Sequence, residues 1–212
     1  MRFLRDNGLT LALMAAFLFS LAGMILAGWA DENAELVEHS LPPLGLASYL
    51  LSGSFLSALF ENWESEFLQM AAYVILTAYL FQRGSAESND PDDPERERDD
   101  LPKSWRERAP LLGWLYAHSL GMALALLFIA SFVGHWLSSL SAANQEAASH
   151  GGPYLGALQY LVDPRFWFES FQNWQSEFLS TAVLVVLSIF LRYRGSPESK
   201  PVAAPHEETG AS

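Results

Sequence analysis

Apolar positions along this chain come in long unbroken blocks, not in the alternating or one-faced patterns of soluble elements. Leu9–Trp29 runs 21 residues without a charge, and Leu111–Leu140 runs 30 without Asp, Glu, Lys or Arg, with His118 and His135 inside it. A helix needs about 20 apolar residues to cross a hydrocarbon core of about 30 Å, and both blocks qualify. Two further apolar stretches lead up to Arg83 and Arg194. The pattern predicts an all-α integral membrane protein with four transmembrane helices, spanning about 9–29, 62–82, 112–137 and 173–192.

Shorter features predict what joins the spans. Leu9–Trp29 exceeds the usual core of a signal peptide, and its partner block lies mid-chain, so it reads as a retained first span. Leu44–Leu51 follows Pro42-Pro43, is too short to cross, and reads as an interfacial or re-entrant helix at the outer face. Ser52 is the expected N-cap of a helix running from Gly53 to about Gln82. Asp163 followed by Pro164 is the expected start of a helix to about Tyr193, an N-cap acid with proline at the first helical position.

The blocks are copies of one another. Leu4–Ser88 aligns without a gap on Leu115–Ser199, and 33 of the 85 pairs are identical. The sharpest match is Phe60-Glu61-Asn62-Trp63-Glu64-Ser65-Glu66-Phe67-Leu68 against Phe171-Gln172-Asn173-Trp174-Gln175-Ser176-Glu177-Phe178-Leu179. Seven of these nine positions are identical, and both exceptions exchange Glu for Gln. Each copy runs into Arg-Gly-Ser, at Arg83-Gly84-Ser85 and at Arg194-Gly195-Ser196. The chain therefore divides into repeat 1 (1–85), a charged linker (86–110), repeat 2 (111–196) and a polar tail (197–212) expected to be disordered.

Charge sets the expected orientation. Eleven of the twelve Lys and Arg residues lie in the head, the linker or the tail, and only Arg165 lies in an opposite loop. The positive-inside rule then puts both termini and the linker in the cytoplasm, which makes the two helical-hairpin repeats parallel in the membrane. A net charge of −12 argues against a nucleic-acid partner. With no cysteine there is no disulfide, zinc-thiolate site or catalytic thiol.

Candidate chemistry concentrates in the twin motif. Helical spacing puts Asn62, Glu66, Gln69, Tyr73 and Thr77 on one face, and Asn173, Glu177, Ser180, Leu184 and Ser188 on the matching face. Ionisable residues at membrane depth are costly and normally face the bundle interior. Glu66 and Glu177, with Asn62, Asn173, Ser65 and Ser176, are thus the candidate ion or polar site, and Trp63 and Trp174 the aromatic belt. His39 and His150 match between repeats, with Glu35 and Glu146 four residues before them. Repeated loop residues more often serve caps and turns, so no metal site is assigned, although this pair is the place to look for one. His118 and His135, which have no histidine counterparts, read as interface residues. Neither a triad, a phosphate loop, a zinc-binding helix nor a dinucleotide fingerprint is present, so neither catalysis nor a cofactor is expected.

The pairing of Asn62-Trp63-Glu64-Ser65-Glu66-Phe67 with Asn173-Trp174-Gln175-Ser176-Glu177-Phe178, each followed by Arg-Gly-Ser, resembles an uncharacterised family of bacterial four-helix membrane proteins, a domain of unknown function. The resemblance implies a bacterial inner-membrane location and supplies no activity. Two functional expectations follow from the residues. In the first, the outer Asn/Trp/Ser/Glu cluster serves assembly or binds a partner, a second copy or another membrane protein, in addition to the lipid bilayer. In the second, Glu66 and Glu177 line a small cation or proton channel or transporter.

Overall fold

The computed structural model describes residues 2–93 and 99–210, and nothing of the Ser104 and Arg106 side chains. The middle of the charged linker and the last two residues of the tail lie outside the described residues, as does Met1. The described residues form helices and no strands: α1 (Arg2–Asp6), α2 (Gly8–Glu38), α3 (Leu46–Leu50), α4 (Gly53–Tyr79), α5 (Lys103–Arg108), α6 (Pro110–Ala117), α7 (Ser119–His150), α8 (Ala157–Leu161) and α9 (Pro164–Phe190).

Two of these helices, α2 and α7, are long and apolar enough to cross a membrane. The 31 residues of α2 extend about 46 Å at about 1.5 Å each, and none of them is buried. Phe19 is 83% exposed and Leu9 75%. An apolar helix left bare on every side is at home in lipid, not in water. The other two long helices, α4 and α9, fall short of that test, each carrying its polar copy of the motif within the helix.

Helix ends differ from the expected ones for visible reasons. α2 runs on to Glu38 and α7 to His150, where polar segments outside the spans were expected, because these segments are rich in the helix formers Ala, Glu and Leu. The third span is broken at His118, where α6 gives way to α7. α4 stops at Tyr79 instead of about Gln82, and α9 at Phe190 instead of about Tyr193. Three residues beyond each end a backbone N–H turns to a serine side chain instead of the helical ladder: Gln82 N donates to Ser88 Oγ (2.8 Å) and Tyr193 N to Ser199 Oγ (2.9 Å). The turn that follows puts Gly84 at φ +84° and Gly195 at φ +85°, where a side chain would be strained.

By contact density the chain has two units. The first comprises Met1–Leu59 with Leu137–Ala157. It is held by two matching amide clamps. Asn33 donates to Leu44 O (3.2 Å) and accepts from Leu44 N (2.6 Å), while Asn144 donates to Leu155 O (3.0 Å) and accepts from Leu155 N (2.8 Å). Each clamp folds the chain back after a long helix and satisfies both backbone polar groups of one residue. Ser52 caps α4 as expected, its Oγ accepting from Phe55 N at 3.2 Å.

The second unit comprises Phe60–Trp136 with Leu158–Ser212. Its core is aromatic: Phe166 is fully buried and Tyr160 nearly so, and Phe132 meets Phe166 edge-on at 5.5 Å. Asp163 caps α9, accepting from Arg165 N at 2.9 Å. Gly134 on α7 lies directly under the Phe60 ring, at a spacing that leaves no room for a Cβ. The tail, expected to be disordered, is instead tied down through residue 210. Thr209 Oγ1 accepts from Gly84 N (2.9 Å), and Lys200 Nζ donates to the carbonyls of Pro205, His206 and Glu208.

Candidate functional site

The site lies in the second unit and starts on one face of α4. Residues 61, 64 and 65 share that face because positions three and four apart stack along a helix. Glu64 is completely buried and Ser65 almost so, while Asn62 and Glu66, on the other side, are exposed. A carboxylate removed from water must be paired and hydrogen-bonded. Glu64 has such partners on both oxygens. Oε1 accepts from Trp174 Nε1 at 2.8 Å, and Oε2 lies 2.7 Å from His135 Nδ1. His135 is itself completely buried, with its ring 5.0 Å from that of Phe166.

The chain of charge continues outward. His135 Nε2 is 3.6 Å from Glu169 Oε2, and Glu169 Oε1 accepts from Arg165 Nε at 3.2 Å. Exposure rises along this sequence, from none at Glu64 and His135 to 24% for the Glu169 side chain and 53% for Arg165. Beside it, Asn173 donates to Glu61 Oε1 and so ties α9 to α4 a second time. An imidazole set between two carboxylates, one buried and one reaching the surface, is able to take up a proton and to hand it from one carboxylate to the other.

Of the residues picked out from sequence, Asn173 and Trp174 belong to this network. Ser65 and Ser176 serve their own helices, donating to Asn62 O (2.9 Å) and Asn173 O (2.8 Å). Trp63 is half-buried with its ring edge-on to Phe60. Glu66 is exposed and Glu177 half-buried, within electrostatic reach of each other but outside the network. His39 and His150 are both exposed, and the described residues contain no cluster of three or more metal-ligand side chains. Further along the expected polar face, Gln69 donates to Thr181 Oγ1, and Tyr73 donates to Glu87 Oε2 at 2.9 Å.

Glu61, Glu64, His135, Glu169 and Arg165 were not expected as site residues, and His135 in particular is a buried network residue. One signal marks them all. Their repeat counterparts are Gln172, Gln175, Met24, Ala58 and Ser54, so each stands where the two copies differ. No curated protein and no solved structure matches the chain. The sequence model described as "Domain of unknown function (DUF6766)" matches residues 1–211, and the chain belongs to that family.

Proposed function

We propose that this is a non-enzymatic, multi-pass membrane protein of the bacterial inner membrane, in which the twin motif is an assembly clasp. On this reading α2, the lower part of α4, α7 and the lower part of α9 cross the bilayer as two parallel hairpin repeats, with both termini cytoplasmic. The observation that carries it is the pairing of the two motif copies: Asn173 and Trp174 of the second donate to Glu61 and Glu64 of the first. A carboxylate buried in an apolar helix bundle is tolerable only with such donors, so the helices assemble in one register or not at all. The rim residues Asn62, Glu66 and Ser176 remain exposed, available to a second copy or to another membrane protein.

Proton or cation passage is the second reading, favoured by the graded exposure from Glu64 through His135 and Glu169 to Arg165. Reconstitution in liposomes with a trapped pH dye separates the two. The assembly reading expects no proton flux above that of empty liposomes, and a loss of folded protein in Glu64→Ala. Flux that is abolished in a folded Glu64→Gln variant would replace the clasp with a proton path. Flux abolished instead by the double substitution Glu66→Gln, Glu177→Gln would move that path to the motif's exposed glutamates.

A further inference from the structure

The two Arg-Gly-Ser turns, one after α4 and one after α9, match bond for bond. Ser85 N donates to Gln82 O at 3.1 Å and Ser196 N to Tyr193 O at 3.2 Å. Glu87 N donates to Ser85 Oγ at 3.1 Å and Glu198 N to Ser196 Oγ at 3.2 Å. With the glycines also at the same φ, the backbone offers Arg83 and Arg194 the same setting.

What surrounds the two arginines differs. Arg83 closes on both carboxylate oxygens of Asp92, at 2.6 and 3.1 Å, the two-pronged grip that a guanidinium gives a carboxylate or a phosphate. Arg194 is exposed and makes no ion pair or hydrogen bond among the described residues, and the position that matches Asp92 is Ala203. The local charge is inverted as well. Residues 81–93 hold one base, Arg83, and four acids, whereas the matching residues 192–204 hold three bases, Arg192, Arg194 and Lys200, and one acid, Glu198. Glu198 is hydrogen-bonded to the Glu87 carboxyl of the first turn. Arg192 donates to Ala204 O, and Lys200 to the carbonyls of Pro205, His206 and Glu208, so these cations are held by dipoles and not by acids. Phe190 and Tyr193 set exposed ring surface beside this charge.

We propose that the second turn binds the phosphate of an anionic phospholipid, gripped by Arg194 as Arg83 grips Asp92. The proposal rests on the membrane reading, which puts this turn at the cytoplasmic face, where anionic lipids attract basic segments. Phosphatidylcholine is the poorer ligand, because its choline group meets three cations. The exposed rings favour a lipid over an acidic protein segment, since tyrosine sits well at the level of the headgroups and phenylalanine against acyl chains.

The test exploits the absence of cysteine. Leu191→Cys gives the full chain a single attachment point for a bimane, exposed and at the end of α9. The labelled chain is reconstituted in phosphatidylcholine bilayers containing a small fraction of one spin-labelled lipid, which quenches the bimane on contact. Spin-labelled phosphatidylglycerol is expected to quench at about tenfold lower mole fraction than spin-labelled phosphatidylcholine, the gain from a charge-assisted, two-pronged contact. Arg194→Gln removes this preference. So does Ala203→Asp, which keeps the arginine and fills its fork from within, while Val202→Asp adds the same charge one position away and retains the preference. All three positions are exposed, so the variants fold. Millimolar inorganic phosphate leaves the preference in place, and its loss there would make a soluble phosphate the ligand and overturn the lipid assignment. Equal quenching by the two lipids in the wild-type turn overturns the proposal and leaves the membrane reading standing. Quenching by neither lipid means that α9 does not end at a bilayer, and both fall. A preference that survives Arg194→Gln and Ala203→Asp, or that Val202→Asp removes as fully as Ala203→Asp, also overturns the proposal.

Discussion

The two copies of the nine-residue motif have nearly the same sequence and different situations. In both, the serine hydroxyl donates to a carbonyl three residues back, Ser65 to Asn62 and Ser176 to Asn173, at almost the same distance. In the first copy, Glu64 is sealed from solvent and bound by His135 and Trp174. In the second, the matching Gln175 is exposed and donates to Gln172 O at 3.1 Å within its own helix. Identical positions thus do local work in both copies, as the serines do, or supply donors across the two copies, as Asn173 and Trp174 do. The diverged positions Glu61 and Glu64 supply the acceptors, and a symmetric pair of copies would have to bury two such charges instead of one.

The largest break in this comparison comes from truncating the diverged pair. Glu64→Ala leaves His135 and the Trp174 N–H buried without their acceptor, and breaking a buried pair costs about 3–5 kcal/mol. Gln175→Ala, at the same register on an exposed surface, is expected within about 0.5 kcal/mol of wild type. Thermal unfolding of both variants in detergent checks this. Similar losses from the two substitutions would mean that the asymmetry has no energetic content.

Where repetition is strict, matched substitutions are expected to cost the same. Asn33→Ala and Asn144→Ala each remove two hydrogen bonds to the backbone of one residue, worth about 1–3 kcal/mol per clamp. A large loss at one site beside none at the other would show that only one hairpin needs its clamp. Trp174→Phe keeps most of the ring packing and removes one donor to Glu64, for about 1–2 kcal/mol. A cycle with Glu64→Gln sharpens the assignment, since partners in direct contact show coupling and independent sites do not.

These expectations also measure how far the sequence alone reaches. Hydrophobic block length predicted long apolar helices, and α2 and α7 meet that test because length and composition are local properties. Ser52 and Asp163 were readable as caps for the same reason, since a cap acts within three residues. The clasp was not readable. Its members come from α4, α7 and α9, with bonded partners as many as 112 positions apart, and periodicity on one helix says nothing about which face meets another. Attention to matched positions pointed to Glu66 and Glu177, whereas the buried partner is Glu64, one of only two mismatches in the motif. The tail misled for a related reason. Its composition is that of a disordered segment, but Thr209 finds a backbone partner in Gly84, and Lys200 gathers the tail's own carbonyls around its ammonium.

The smallest expected effect tests the repeated turn at the end of each hairpin. Arg83 makes a two-pronged contact with Asp92, at 2.6 and 3.1 Å, whereas the position that matches Asp92 in the second copy is Ala203. The guanidinium holds the Asp92 carboxyl below the usual carboxylate range, so the ion pair contributes stability above that range and loses it as pH falls through the lowered value. Both side chains are more than half exposed, and exposed pairs contribute little and are screened by salt. Asp92→Asn is therefore expected to lower the melting temperature slightly at pH 7 and low salt. At 0.5 M salt, or once the pH has fallen below the lowered Asp92 value, the two proteins should melt together. Arg194→Ala, which has Ala203 in place of the acid, should show no such salt dependence. A loss in Asp92→Asn that persists at high salt would mean that the turn is held by the geometry of Asp92 and not by its charge, and the first copy's extra ion pair would join the Glu64 clasp as a structural difference between the repeats.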